Sequence, residues 1–128
     1  NAIYLARQGF DVHGVDFSPK AIAWATERVK TAGVIVDLQC VSVFDLKVAP
    51  ASYDFVYDAG CFHHIAPHRR RAYVDRVFTA LKPGGWFGLV CFRPEGGSNL
   101  TDVEVYEQRS LRGGLGYTEE RLREIKLK

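Results

Sequence analysis

The sequence predicts an α/β fold in which mostly parallel strands form a sheet with helices on both faces. Strand-like segments alternate with amphipathic helical segments along the 128 residues, and this alternation is typical of parallel strands joined by crossover helices. Two strand-like segments, residues 12–16 and 53–58, also end on an acidic residue. Because ligands of open α/β sheets bind at the carboxyl ends of strands, these acids mark a candidate binding edge.

The composition indicates a single globular domain. Hydrophobic residues make up 47% and charged residues 25% of the chain, as in ordinary soluble folds. The net charge of +2 favours no class of partner, and no apolar run reaches the roughly 20 residues that cross a bilayer. The widely spaced Cys40, Cys61 and Cys91 indicate reduced thiols in a cytoplasmic protein.

The first part of the chain predicts the end of one helix and a second, complete helix. Apolar residues within 1–8 recur at i, i+3, i+4 spacing and stop at Gly9, as in the last turns of a helix. Residues 19–31 form the clearest amphipathic pattern; Ser18 can cap its start and Gly33 ends it.

The middle of the chain predicts two further strands. Residues 34–43 alternate between apolar and polar side chains, which suits a strand covered on one face near a sheet edge. After a loop at 46–52, residues 53–58 are predicted to form a short apolar strand, and residues 59–65 follow as a turn or loop.

The next helix is predicted to begin at Pro67. Its apolar stripe has i, i+3, i+4, i+7 spacing and consists of Val74, Val77, Phe78 and Leu81. Proline and two glycines at 82–85 then stop the helix.

The last third predicts a strand, a loop and a helix. Residues 86–92 are almost continuously apolar, as in a strand buried on both faces. The glycine-rich residues 93–116 are predicted as a mobile loop, suited to a lid over a substrate. Thr118, followed by two glutamates, can cap a final helix.

Asp16 is the residue around which a functional prediction can be built. It lies between a strand and a helix start, where open α/β sheets place a ribose-binding carboxylate. A carboxylate can accept hydrogen bonds from two vicinal hydroxyls at once, and such charge-assisted bonds are strong. The alternative is a purely local cap or turn at Asp16.

Two histidines after the strand at 53–58 are candidate general bases. His63 and His64 can take a proton near neutral pH, although a pair in such a loop can also pack or cap the next helix. A zinc site that adds Cys61 and His68 fits no usual ligand spacing, so no metal is predicted.

Together, several segments resemble the class I S-adenosylmethionine-dependent methyltransferases. The matching segments are residues 9–18, Phe44-Asp45, 53–65, 81–85 and 117–122. The resemblance implies a three-layer, Rossmann-like sheet and S-adenosylmethionine as the cofactor. It also implies that Asp16 holds the ribose with Phe17 against the adenine, while Asp45 accepts from the adenine amino group beside Phe44.

The resemblance also assigns the methyl end of the cofactor. Asp58, Gly60 and Cys61 follow the strand at 53–58, and the family places the methionine part and the reactive methyl there. His63 and His64 come next, in reach of an acceptor that must lose a proton.

The family pattern implies that residues 1–128 are an incomplete domain. The family's first strand and glycine-rich loop would lie before Asn1, and its last two strands after Lys128. That first strand is central in the family's sheet, so it would lie between the strands at 12–16 and 53–58. We therefore expect a single domain truncated at both ends, whose isolated fragment binds the cofactor poorly.

A small molecule is the predicted acceptor. Residues 58–61 read Asp-Ala-Gly-Cys, whereas base-methylating members of the family carry an Asn/Asp-Pro-Pro-aromatic motif after this strand. Arg69, Arg70, Arg71 and Arg76 are interpreted as a solvated helix face, since no aromatic residues interleave with them. No nucleic-acid or membrane partner is predicted, and the sequence gives no oligomeric state.

Two alternative functions remain open from the sequence. An NAD(P)-dependent oxidoreductase also places an acid where Asp16 lies. A non-catalytic binding module would keep the fold and the cofactor without turnover.

Overall fold

The computed structural model describes residues 1–91, 93–94, 101–102, 105 and 114–125. The chain divides into two units, Asn1–Lys47 and Val48–Lys128, and each contains one pair of parallel strands joined by a crossover helix. The predicted α/β class with parallel strands is confirmed.

The first unit is a strand–helix–strand motif preceded by a short helix. Its elements are α1 (Ala2–Arg7), β1 (His13–Asp16), α2 (Pro19–Ala32) and β2 (Asp37–Cys40). Strands β1 and β2 pair in parallel, with His13 opposite Asp37 and Asp16 opposite Cys40. The carboxyl ends of both strands therefore lie at the same edge of this sheet.

Helix α2 has the ends that its sequence predicts. The Ser18 hydroxyl accepts a hydrogen bond from the Ala21 amide at 3.2 Å, and Pro19 occupies the first turn, where a missing N–H costs nothing. Gly33 ends the helix with φ at 69°, a left-handed conformation that favours glycine.

Strand β2 is shorter than the predicted 34–43. It pairs with β1 over four positions, and the hydrogen bonds Asp37 N to Val12 O and Val41 N to Asp16 O flank that ladder. Because β1 itself has only four residues, residues 34–36 and 41–43 have no residues of β1 to pair with as strand.

The second unit contains another parallel pair. Its elements are β3 (Tyr53–Ala59), 3₁₀ turns at Phe62–His64 and Pro67–Arg69, α3 (Arg70–Ala80), β4 (Leu81–Val90) and α4 (Glu119–Glu124). Phe55 lies opposite Trp86 and Ala59 opposite Val90, so this pair also has its carboxyl ends together.

The predicted stop after α3 forms a bulge in β4. The pairing runs from Tyr53–Leu81 directly to Phe55–Trp86, which leaves residues 82–85 outside the regular register. Gly84 has φ at 79°, and a Cβ on Gly85 would lie 2.9 Å from the Lys82 carbonyl oxygen. Both glycines are therefore required by the backbone at this point.

The core of the second unit lies between α3 and one face of the β3–β4 pair. Its buried residues include Phe62, Tyr73, Val74, Val77, Leu81 and Tyr117. Phe78, which was predicted in the same stripe, is partly exposed but contacts the Phe87 ring of β4.

The prediction that residues 86–92 are buried on both faces is wrong for the described part of this strand. Trp86 is 77% exposed and Val90 is also exposed, together with Phe55 and Tyr57 on β3. Within the described residues of this unit, helix packing covers only the opposite face, which carries Phe87. Phe92 lies outside the described residues.

The end of the chain is partly described. Helix α4 begins as predicted, and the Thr118 hydroxyl accepts from the Arg121 amide at 3.1 Å. Most of the predicted loop at 93–116 lies outside the described residues. Among those described, no helix is long and apolar enough to cross a membrane.

Candidate functional site

Asp16 lies at the carboxyl end of β1 with its side chain exposed. Its Oδ1 atom accepts a hydrogen bond from the Ser18 amide at 2.9 Å, which is the local interaction considered as the alternative. This bond turns the chain from β1 into α2 and fixes the carboxylate near the strand end. A carboxylate has further acceptor capacity after one such bond, so the local role and ligand binding are compatible.

Phe17 is not part of the core. Its side chain is 77% exposed, while its carbonyl oxygen accepts from the Cys40 thiol at 3.5 Å. This contact joins the carboxyl ends of β1 and β2. An exposed aromatic ring beside a carboxylate is a suitable surface for a flat, polar ring.

Phe44 and Asp45 lie in a turn that follows β2. The Asp45 amide donates to the Ser42 carbonyl at 3.0 Å, and the Ser42 hydroxyl accepts from the Phe44 amide at 3.2 Å. Asp45 is exposed and Phe44 is half-buried. The turn follows β2, whose last residue, Cys40, lies opposite Asp16, so Asp16 and Asp45 come at and after the two strand ends that share this edge.

Sequence reasoning missed Ser42. A serine two residues before Phe44 is the local signal for a side-chain-to-backbone turn, although it also fits the alternating pattern of residues 34–43.

In the second unit, Asp58 is buried, with 7% exposure. Its carboxylate accepts from the Cys61 amide at 2.8 Å, the Phe62 amide at 3.0 Å and the Tyr73 hydroxyl. Burial and the Asp58 charge together raise the pKa of Tyr73 strongly, so this phenol remains the donor. The contacts of the Asp58 carboxylate are thus with its own chain, and they shape the turn after β3.

Gly60 and Cys61 begin that turn. Gly60 has φ at 109°, and a Cβ at this position would lie 4.0 Å from both Cε1 and Nε2 of His63. Cys61 is exposed. The imidazole of His63 therefore packs beside the backbone at the carboxyl end of β3.

The two candidate bases differ in environment. His63 is 5% exposed, whereas His64 is exposed, and their rings meet edge to face at 4.4 Å. Burial lowers the pKa of His63, His64 lowers it further, and Asp58 acts in the opposite direction. His63 is consequently a neutral imidazole near pH 7, the form that accepts a proton.

The described residues contain no candidate metal-binding cluster. Among those residues, no three His, Cys, Asp or Glu side chains form a group that could hold a metal ion.

The solvated-face interpretation of the basic helix is wrong for Arg70. Arg70 is 7% exposed and binds Asp102 and Tyr117. Arg69, Arg71 and Arg76 are exposed. The partners of Arg70 lie far along the chain, and no local pattern identifies them.

Comparison with known proteins gives a consistent match. The model of the family described as "Methyltransferase domain" matches residues 1–85. An uncharacterized methyltransferase of Synechocystis is 34% identical over 88 residues, covering 69% of this chain and 40% of that protein. The ubiquinone biosynthesis O-methyltransferase of Cereibacter sphaeroides is 32% identical over 87 residues, covering 68% of this chain and 34% of that protein. The chain thus spans less than half the length of both relatives.

Solved structures match as well. The 1,6-didemethyltoxoflavin-N1-methyltransferase of Burkholderia thailandensis, with bound 1,6-didemethyltoxoflavin and S-adenosylhomocysteine, has a TM-score of 0.60 and 30% identity, covering 73% of this chain and 40% of that chain. Phosphoethanolamine N-methyltransferase 2 of Haemonchus contortus, in complex with S-adenosyl-L-methionine, has a TM-score of 0.68 and 28% identity, covering 95% and 28%.

Proposed function

This chain belongs to the class I S-adenosylmethionine-dependent methyltransferase family, and we propose that the whole protein transfers a methyl group from S-adenosylmethionine to a small-molecule acceptor. One observation carries the proposal. Two acidic residues, each beside an aromatic residue, follow the carboxyl ends of adjacent parallel strands in the first unit.

In the first unit we assign the nucleoside contacts. Asp16 accepts from the ribose hydroxyls and Asp45 from the adenine amino group, while Phe17 and Phe44 contact the adenine ring. The exposure of Asp16, Phe17 and Asp45 supports this assignment, since a ligand can reach them without displacing core residues.

In the second unit we assign the methionine end to the turn after β3. Asp58 acts here by fixing the amides of Cys61 and Phe62, so that Gly60 and Cys61 present a defined backbone to the cofactor. The absence of a side chain at Gly60 allows close approach.

The chemistry is an in-line displacement at the methyl carbon by a nucleophile of the acceptor. S-adenosylmethionine supplies the activated methyl group, and the protein contributes mainly orientation, which can be worth roughly 7–11 kcal/mol. Where the acceptor must lose a proton, His63 or His64 accepts it. The neutral state of His63 at pH 7, which follows from its lowered pKa, supports His63 for this role.

The acceptor class rests on two supports. Proteins similar to this chain include a ubiquinone biosynthesis O-methyltransferase and a 1,6-didemethyltoxoflavin-N1-methyltransferase, and residues 58–61 lack the base-methylating motif. We further propose a cytoplasmic location, in keeping with the three free cysteines, and no nucleic-acid partner.

We propose that residues 1–128 are part of one methyltransferase domain whose other segments complete the sheet. The exposed aromatic side chains of Phe55, Tyr57 and Trp86 on neighbouring strands support this, because clustered exposed aromatic residues mark surfaces that other elements cover.

Calorimetry on the full-length protein tests the cofactor assignment. We expect S-adenosylhomocysteine to bind and NAD not to bind, and Asp16→Asn to weaken binding about tenfold because one charge-assisted bond becomes a neutral one. Asp11 is an exposed acid before β1, so Asp11→Asn is the matched control, and this variant should bind S-adenosylhomocysteine normally. Binding of NAD alone would favour an oxidoreductase; normal cofactor affinity without methyl transfer to any acceptor would favour a binding module.

A further inference from the structure

Arg70 is a buried cation that joins distant parts of the second unit. Its Nη1 atom donates to both carboxylate oxygens of Asp102, at 3.1 and 2.9 Å. Its Nε and Nη2 atoms donate to the Tyr117 hydroxyl at 3.0 and 2.6 Å. Arg121 also donates to Asp102, at 3.0 Å, so this carboxylate is shared by two guanidinium groups.

Tyr117 extends this network to the turn that carries His63. Its ring packs on Phe62, with centroids 5.0 Å apart, and Phe62 is fully buried. Two residues earlier, the Leu115 amide donates to the His63 carbonyl at 2.6 Å. Residues 115–117 are thereby held against the turn at both His63 and its neighbour.

We propose that Arg70 and Tyr117 are positioning residues that hold the Phe62–His64 turn, and with it the His63 imidazole, beside Gly60. The inference rests on the proposed function, which makes that imidazole a base at the methyl end of the cofactor. Arg70 touches neither His63 nor the reacting atoms; it acts through Tyr117.

The chemistry of the guanidinium explains why arginine is needed. Arg70 reaches a carboxylate with one arm and a phenol with the other two nitrogens, a planar fork that lysine does not provide. Tyr117 in turn needs both its hydroxyl, which accepts from Arg70, and its ring, which fills the space against Phe62. Phenylalanine at position 117 would keep the ring and lose the connection.

Two variants of the full-length protein test the proposal, Tyr117→Phe and Arg70→Lys. Amide hydrogen exchange at Leu115 reports the contact with His63, and we expect it to quicken about tenfold in both variants, as for the loss of one hydrogen bond to a charged group. The second readout is the titration of the His63 imidazole by NMR. His64 and Asp58 are titratable groups that act on His63, so their variants serve as references for assigning the titration.

We expect the titration midpoint of His63 to move up towards 6.5, its ordinary value, as the turn loosens and water reaches the ring. A merely structural role would lower the denaturation midpoint without changing the titration of the folded protein. Tyr4→Phe and Arg71→Lys, both at exposed positions, are the matched controls and should change neither readout.

An unchanged Leu115 exchange rate and His63 titration in folded Tyr117→Phe would overturn the proposal, whatever Arg70→Lys does. Cofactor binding is measured separately on the same proteins. If both readouts respond but no S-adenosylhomocysteine binds, the proposed function fails while the positioning role stands.

Discussion

The acids at the carboxyl ends of β1 and β3, Asp16 and Asp58, come from the same sequence pattern but differ in their environments. Asp16 is exposed, and its Oδ1 atom accepts a hydrogen bond from the Ser18 amide. Asp58 is buried and accepts from two amides and a phenol. A carboxylate at a strand end can therefore remain exposed with one local bond, like Asp16, or become a buried acceptor for several donors, like Asp58.

The local reason for the difference lies in what must be capped. After β1, Ser18 caps α2, so Asp16 has only the turn itself to satisfy. After β3, the first residues of a 3₁₀ turn need an acceptor, and Tyr73 of α3 brings a further donor into a buried space. Because a buried donor without a partner is costly, the Asp58 carboxylate remains inside.

The largest expected effect comes from Asp58→Ala. This change leaves the Cys61 and Phe62 amides and the Tyr73 hydroxyl without their acceptor, so we expect a loss of about 3 kcal/mol in the free energy of unfolding. Urea denaturation of the full-length protein measures it. Asp16→Ala is the matched control, expected to cost about 1 kcal/mol because it removes one hydrogen bond, from the Ser18 amide, and equal losses in the two variants would remove the distinction drawn between these acids.

An intermediate effect is expected from glycine substitutions. Gly60 and Gly9 have φ values of 109° and 91°, and alanine in such a conformation costs about 1–2 kcal/mol. Both Gly60→Ala and Gly9→Ala should therefore lower stability by similar amounts. Only Gly60→Ala should also weaken binding of S-adenosylhomocysteine, as measured by calorimetry, because Gly60 lies in the proposed site; equal binding by the two variants would argue against that site.

The smallest effect concerns acid sensitivity. The pKa of His63 is lowered in the folded protein from its ordinary value of 6.5. Between pH 6.5 and the lowered pKa, the unfolded chain therefore binds more protons than the folded protein. The free energy of unfolding falls as the pH drops through this range. Denaturation at about pH 7.5 and about pH 5.5 measures the change. His63→Gln should lose part of this acid sensitivity, and an identical pH dependence in the variant would contradict the prediction.

Features encoded by neighbouring residues could be predicted from the sequence. The ends of α2 at Ser18 and Gly33 and the start of α4 at Thr118 depend on bonds that span three or four residues. The apolar pattern predicts the succession of strands along the chain, and the same pattern identifies the acids at the ends of β1 and β3.

Features that depend on distant partners could not be predicted. Tyr73 meets Asp58 across 15 residues and Tyr117 meets Arg70 across 47, and neither pair has a sequence signature. The exposure of Trp86 could not be predicted either. An apolar run shows that a strand can be buried, but it does not show which element covers that strand.

The contact between Leu115 and His63 has a consequence for synthesis on the ribosome. The β1–β2 pairing and the bonds that flank and cap it join residues within 1–47, so we expect that motif to form as soon as it leaves the exit tunnel. The contacts of the His63 turn with Leu115 and Tyr117 form only after those residues have been translated. Ribosome-bound chains stopped before Leu115 should therefore carry an ordered first unit and a turn whose His63 carbonyl lacks the Leu115 contact.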